Sequence, residues 1–582
     1  MRRVVAIALA VAGSALIVHG QQKPAVADLK TTAEASGFKS TSTYDDVVKF
    51  MKTVDEASPL IFYSTYGKTH EGRDMPLAVV GTGLKDASAA SVKGSGKLRV
   101  HIQGNIHAGE VEGKESAQVL LREFAMGQHK DWLQSMVFLI TPIFNADGNE
   151  KFALTNRQRQ NGPINGMGTR PNAQGLNINR DFMKLDTPEG KSFVKLWTDY
   201  DPHVGFDLHT SDGSYHGYYL TYSPPLNPAT SPAIMKLMTD EWFPSVTKDM
   251  KTKRGWDSFY YGNVSTPGGR GFGGGAPGGG GGRGRGRAGD AGAASGAPAG
   301  GAPPAGAPPQ RPACDNVAPP EGVTREWRSF EPLARYHNSY VGMRNRFALL
   351  SEAYAYATFE DRIKATNYFM EEALNFAHQN AARLKKIVAD ADRSRVTGAV
   401  LATTAKFKRG GMVEILMGEV ENETNPINGA VMNRRKDVVK PEQMVDMMWF
   451  EPATTETVPR GYYLPPNLTK AVDLLKAHGV QVKEVRGGLQ ESFEGFGIAA
   501  NTQAPAAFEG HTIRKLEGRW GAKLDMRAPT SGWVVYMDQP LGRIAFYLLE
   551  PTSDDGLVAW NFLDEALKEG TTLYPILRIP GK

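Results

Sequence analysis

The chain has 582 residues, a single cysteine (Cys314) and a formal charge of +5. At roughly 150 residues per domain this length allows about two to four domains. A lone cysteine excludes an intramolecular disulfide, and so small a charge for the length implies neither a nucleic-acid nor a membrane partner.

The start, Met1-Arg2-Arg3 followed by an apolar run from Val4 to Val18 and then Gly20, has the layout of a secretory signal peptide over residues 1–20. The run falls short of the ~20 residues that spanning a bilayer requires, so no stable membrane insertion is expected. The mature protein is then exported, periplasmic or extracellular, with an N-terminal segment over 21–42. Leu98, Val100 and Ile102 alternate with polar neighbours as in a strand, and Ala117, Leu120, Leu121 and Phe124 recur at helical spacing. Val137 to Ile140 reads as a short apolar strand, and Asn145-Ala146-Asp147-Gly148 as a turn. Val204 to Leu208 is strand-like and ends at His209.

From about Thr266 to Pro312 the chain is Gly, Pro, Ala and Arg with almost nothing to bury, which predicts a disordered surface insert. Arg283, Arg285 and Arg287 alternate with glycine there, but in an exported protein a solvated loop is the favoured reading, and Cys314 at its edge is an incidental thiol. Beyond it, Phe347 to Leu350 reads as a buried strand and Ile363 to Leu384 as a helix. Strands alternating with helices predict an α/β fold: a mixed, largely parallel sheet with helices on both faces, over residues 43–388. From 389 to 582 the pattern changes to a separate β-rich region, with strands at Trp533 to Tyr536 and Ile544 to Leu548 and a helix from Ala471 to His478.

The chemistry concentrates in His107-Ala108-Gly109-Glu110, which follows a strand and precedes a helix, and in His209 at the end of another strand. Two imidazoles and a carboxylate are a ligand set suited to a catalytic zinc ion, which takes three protein ligands and keeps one position open. Loops at strand ends are where an α/β fold places its functional residues. A metallohydrolase is the reading these residues support.

Five features in order strengthen it: Gly67 to Arg73 in an early hairpin, His107 to Glu110, Asn145 to Gly148, Leu176-Asn177-Ile178-Asn179-Arg180, and Asp207-Leu208-His209. Together they resemble the carboxypeptidase A-like family of zinc metallopeptidases, over about Thr43 to Leu384 without the insert. The resemblance implies one Zn2+ held by His107, Glu110 and His209. It also implies that Asn179 and Arg180 hold the carboxylate of a peptide substrate with a free C-terminus, a task that suits a guanidinium fork. It further implies an arginine that stabilises the oxyanion, either Arg157 or Arg159 with Arg157 preferred, and a glutamate base. Glu352, where the strand from Phe347 emerges, is preferred as the base over Glu371 and Glu372. A substrate-facing tyrosine is also implied; Tyr340 is chosen, with Tyr336 the alternative. Two departures stand out: Asn177 where the family commonly has an aspartate behind a zinc-bound histidine, and Ala146 where it has proline. His216, His337 and His478 have no partner at ligand spacing, His70 lies in a hairpin turn, and His203 begins the strand that ends at His209, with its side chain expected at the opposite edge of the sheet. The function expected is an exported zinc carboxypeptidase. The rivals are an amidohydrolase acting on cell-wall peptides or N-acyl amino acids, and a non-catalytic binding protein on the same fold. Oligomeric state is not legible.

Overall fold

The computed structural model describes residues 26–266, 325–524 and 528–581. The leader expected at 1–20, the insert expected at 266–312 (apart from its first residue) and Cys314 lie outside the described residues. Among the described residues, ten strands build the first part: β1 (Ile61–Lys68), β2 (Asp74–Val80), β3 (Leu98–Gly104), β4 (Met136–Thr141), β5 (Val204–Ser211), β6 (Leu220–Ser223), β7 (Ser258–Tyr260), β8 (Asn263–Ser265), β9 (Glu326–Arg328) and β10 (Phe347–Tyr354). Eight of them form one sheet in the order β1-β2-β4-β3-β5-β10-β6-β7. The pairs β3–β4, β3–β5, β5–β10 and β6–β7 are parallel and the rest antiparallel, so the sheet is mixed and largely parallel as expected.

Strand alternation decides what each face does. Val204, Phe206 and Leu208 of β5 and Phe347 and Leu349 of β10 point into a core shared with the helices Tyr44–Ala57, Glu112–Ala125 and Phe359–Gln379. Gly205, Asp207 and His209 therefore point to the opposite face, which the helices Pro188–Tyr200 and His337–Met343 cover through Phe193, Trp197 and Tyr340. Two glycines set the spacing at the sheet's functional edge. A Cβ on Gly104 would lie 2.8 Å from the Gly113 carbonyl carbon, and one on Gly113 would lie 2.6 Å from Leu208 Cβ. The helix Glu112–Ala125 thus starts in direct contact with the ends of β3 and β5, and this draws Glu110 toward His209.

The C-terminal part contains β11 (Val400–Lys408), β12 (Met412–Thr424), β13 (Val431–Met447), β14 (Trp449–Thr457), β15 (Gly461–Leu464), β16 (Lys483–Glu484), β17 (Glu494–Gln503), β18 (Arg514–Lys523), β19 (Trp533–Tyr536) and β20 (Leu577–Ile579). It is β-rich, with a six-stranded sheet, a two-stranded ribbon and the long β12–β13 hairpin. It is not a separate body, however. β13 pairs with β9, so the four-stranded sheet β12-β13-β9-β8 crosses the expected boundary at 389. Leu475, Ile544, Phe546 and Leu548 share one apolar core with Trp197 and Tyr340.

Three predicted elements differ. Ile544 to Leu548 is helical (Gly542–Leu549), because every residue of that helix is buried and no polar stripe marks its period. Asn145 opens a one-turn helix, its Oδ1 accepting from Gly148 N at 3.0 Å, since the chemistry that favours Asn in turns also favours it as a helix cap. The helix expected from Ile363 to Leu384 is two, Phe359–Gln379 and Ala381–Arg393, broken at Asn380. Among the described residues no helix is long and apolar enough to cross a membrane.

Candidate metal centre

At the end of β3, Asn105 adopts a left-handed backbone (φ 63°) that short polar side chains tolerate, and the chain turns sharply into His107. Glu110 N donates to His107 O at 2.9 Å, closing a compact loop that brings both side chains to one side. His209 arrives from β5. Ligand atoms of His107, Glu110 and His209 all lie within 4.8 Å of one another, and all three residues are buried.

Each imidazole is oriented by a partner on its far side. His107 Nε2 lies 3.1 Å from Asn177 Oδ1, and His209 Nε2 lies 2.7 Å from Asp207 Oδ2. Both Nδ1 atoms consequently face Glu110, at 3.1 Å from its Oε1 for His107 and 2.9 Å from its Oε2 for His209. His107 Nδ1 is buried and has no hydrogen-bond partner, as a lone pair reserved for a metal would be. These donors fit Zn2+: two imidazole nitrogens and a carboxylate, each held from behind.

The electrostatics of the metal-free chain agree. Burial and the nearby Arg170 push His107 down to about 3. Burial opposes charge on Glu110, but His107, Arg157 and His209 overrule it and hold the carboxyl well below its ordinary value. Burial also opposes charge on His209, yet Asp207 and Glu110 hold its pKa well above the usual imidazole value. A divalent cation entering the site would displace that proton.

Glu352 stands opposite His209 in the parallel β5–β10 register, so the two share a sheet face. It is half-buried. Burial and the charge of Glu110 push its carboxyl up to about 8, against the pull of His209, Arg157 and Arg170. Glu371 and Glu372 lie instead on the helix Phe359–Gln379, where Glu372 pairs with Lys253 at 2.8 Å and Glu371 with Arg254 at 2.5 Å.

Arg157 reaches the trio but is fully engaged: Nε donates to Gln160 Oε1 at 2.6 Å, Nη1 to Glu110 Oε1 at 3.1 Å and Nη2 to the Thr210 carbonyl at 3.1 Å. Arg159 is exposed, and its carbonyl accepts from Asn433 N. Sequence reasoning passed over Arg170. Its Nη1 lies 3.2 Å from Glu110 Oε1, and its side chain is 36% exposed against 17% for Arg157. An isolated arginine on a long loop carries no periodicity; its one signal was its position just upstream of Asn177 to Arg180.

Asn179 is buried, and its Oδ1 accepts from His337 N at 3.1 Å. Arg180 lies over Tyr336, its guanidinium carbon 4.1 Å from the ring centre, and it donates a hydrogen bond to the Asn179 carbonyl. Tyr340 does not face the site, which corrects the expectation. It is fully buried, stacks on Phe182, and its hydroxyl is taken by His478 Nδ1 at 2.8 Å and Arg344 Nη1 at 3.0 Å. The helix begins at His337 with Tyr336 as its cap, so Tyr340 sits a full turn inside while the Tyr336 ring lies against Arg180.

Residues 47–238 match the zinc carboxypeptidase family model. This segment is of the zinc carboxypeptidase family. It contains the whole trio, while Glu352 lies beyond its end. Carboxypeptidase 2 of Trichophyton rubrum is 29% identical over 210 residues, covering 34% of this chain and 35% of its own length. A probable carboxypeptidase 2 of Arthroderma benhamiae is 29% identical over 210 residues, covering 34% and 36%. The chain thus spans about a third of the length of these relatives. A metallo-carboxypeptidase from Burkholderia cenocepacia has a TM-score of 0.37 and 15% identity over 58% of this chain and 70% of its own. That likeness is too loose to bear on function.

Proposed function

We propose that the protein is a zinc-dependent carboxypeptidase that hydrolyses the last peptide bond of a substrate with a free terminal carboxylate. The observation that carries this reading is the convergence of His107 Nδ1, Glu110 and His209 Nδ1 beside a glutamate on the neighbouring strand. Zinc bound by these residues supplies Lewis acidity toward water and the scissile carbonyl.

Glu352 acts as the general base. With its carboxyl raised by burial in the metal-free chain, it is tuned toward neutrality, and a cation in the trio would draw it down. It removes a proton from the attacking water as the oxygen–carbon bond forms, and delivers that proton to the amine nitrogen as the carbon–nitrogen bond breaks. Arg170 is the guanidinium we assign to the developing oxyanion, since its side chain is only half-buried and, among the described residues, it makes one hydrogen bond, to Glu110. Arg157, with every nitrogen engaged, holds Glu110 in place. Arg180, held by Tyr336 and the Asn179 carbonyl, is the residue assigned to grip the terminal carboxylate, a task that suits its guanidinium fork.

Chelation is expected to abolish peptide hydrolysis and zinc to restore it, while Glu352→Gln binds zinc normally and loses about 10²- to 10⁴-fold in kcat. Full activity in that variant would remove Glu352 from the mechanism. Free, C-terminally amidated and N-acylated substrates compared side by side separate this reading from an amidohydrolase. Preference for the amide counts against carboxylate capture by Arg180.

A further inference from the structure

The C-terminal region reaches the loop behind His107 through a turn at Glu509. A two-residue turn, Glu509-Gly510, joins Phe508 to His511, whose backbones exchange bonds of 2.8 and 3.0 Å. From this turn Glu509 Oε2 accepts the peptide N–H of Asn177 at 2.8 Å, across 332 residues of sequence. Asn177 is the residue whose Oδ1 lies 3.1 Å from His107 Nε2. The same Oδ1 also accepts from Asn179 N at 3.0 Å.

Two features indicate that the turn is built for this contact. Both central residues have left-handed backbones, Glu509 at φ 49° and Gly510 at φ 83°. Asn, Asp or Gly suits the first position of such a turn, and a glutamate there is strained. Strain of this kind persists where the surroundings fix the residue, and it gathers at functional sites. The turn is also pinned on both sides. His511 Nε2 lies 2.8 Å from Asp186 Oδ2 and its Nδ1 lies 3.2 Å from Asn561 Oδ1, while Phe508 packs against Trp560 and the Arg335 guanidinium. The loop behind His107 is therefore held by this turn at Asn177 and again at Asp186.

We propose that Glu509 is a positioning residue for the metal ligand His107. His209 is backed by the carboxylate of Asp207, but His107 is backed by a neutral amide already shared between two donors. A carboxylate behind a ligating imidazole raises its basicity more than an amide does. Glu509 supplies the missing negative charge one peptide unit away and locks the orientation of Asn177. The inference rests on the reading of His107, Glu110 and His209 as a zinc site.

The test uses the metal-stripped full chain, with zinc affinity measured by competition against a chromophoric chelator and melting temperature recorded in parallel. Glu509→Gln keeps the shape and removes the charge; Glu509→Gly removes both and relieves the left-handed strain. Both are expected to weaken zinc binding about tenfold, the lower end of the range for outer partners of metal ligands. Glu509→Gly should do so without lowering the melting temperature of the metal-free protein. Asn177→Asp is expected to restore the affinity of Glu509→Gly, and to add little to the wild type, where two carboxylates would crowd. Unchanged zinc affinity in both Glu509 variants would overturn the proposal, as would an equal gain from Asn177→Asp in both backgrounds. Failure of the wild-type chain to bind zinc would instead overturn the metal site itself.

Discussion

Asp207→Asn isolates the charge behind His209 with little change of shape. Asp207 is fully buried; Oδ2 lies 2.7 Å from His209 Nε2 and Oδ1 accepts from Gln103 Nε2 at 3.2 Å. In the variant, the amide oxygen of the new side chain can still accept from the imidazole, but the amide nitrogen would then face the Gln103 amide nitrogen. Gln103 Oε1 is buried without a hydrogen-bond partner, so rotating that side chain turns a donor–donor clash into a hydrogen bond. The substitution therefore removes a charge and leaves the packing intact. Loss of such an outer partner weakens metal binding about 10- to 100-fold, or about 1.4–2.8 kcal/mol. The assay is zinc competition on the metal-stripped chain, and the stabilisation by excess zinc should shrink by the same amount. Affinity equal to wild type in a folded variant would refute the claim that Asp207 tunes the site.

Three further substitutions probe the surroundings. Tyr340→Phe leaves His478 Nδ1 and the Arg344 guanidinium without their hydroxyl, so it should cost about 1–3 kcal/mol in urea unfolding and leave kcat/KM unchanged; a fall in kcat/KM at unchanged stability would return this tyrosine to the site. Arg362→Met removes a fully buried guanidinium that bonds the Asn161, Gly162 and Ala357 carbonyls and sits 3.4 Å from the buried Glu112; the stranded carboxylate predicts a loss of about 3–5 kcal/mol, and a stable variant would show that this pair is dispensable. Burial and Asp555 push the Asp554 carboxyl up to about 7, so its share of stability is full below its ordinary pKa of 3.8 and is lost as pH rises through 7. Asp554→Asn should consequently gain on the wild type in melting temperature from pH 5 to pH 8, and parallel curves would contradict the shift.

How much of this was legible depended on range. His107, Glu110, His209 and Glu352 could be picked out because each lies near the end of an apolar strand, a local signal that the family resemblance sharpened. Their mutual placement then followed from parallel register and alternation, which put Asp207 and His209 on one face and Glu352 beside them. Tyr340 was misplaced for want of one boundary: with the helix starting at His337, a residue one turn further in belongs to the core. Ile544 to Leu548 failed for the opposite reason, since a helix buried all round has the same apolar signature as a buried strand.

Among the contacts between distant segments, which no local pattern could reveal, several tie the C-terminal region to the loops around the metal trio. The β12–β13 hairpin grips the loop that carries Arg157, through Asn433 N to the Arg159 carbonyl, Asn425 Nδ2 to the Ile164 carbonyl and Asn161 Nδ2 to Glu423. It also binds the chain just after Glu352, where Arg435 N donates to the Tyr356 carbonyl at 2.6 Å. The turn at Glu509 holds a third loop, the one behind His107. Loops are ordinarily the mobile parts of a fold, whereas a catalytic constellation must be held to within a fraction of an ångström. Residues 389–582 therefore make the strand-end loops rigid from outside, so removing them should damage metal binding and turnover even though none of the three metal ligands, nor Glu352, lies among them.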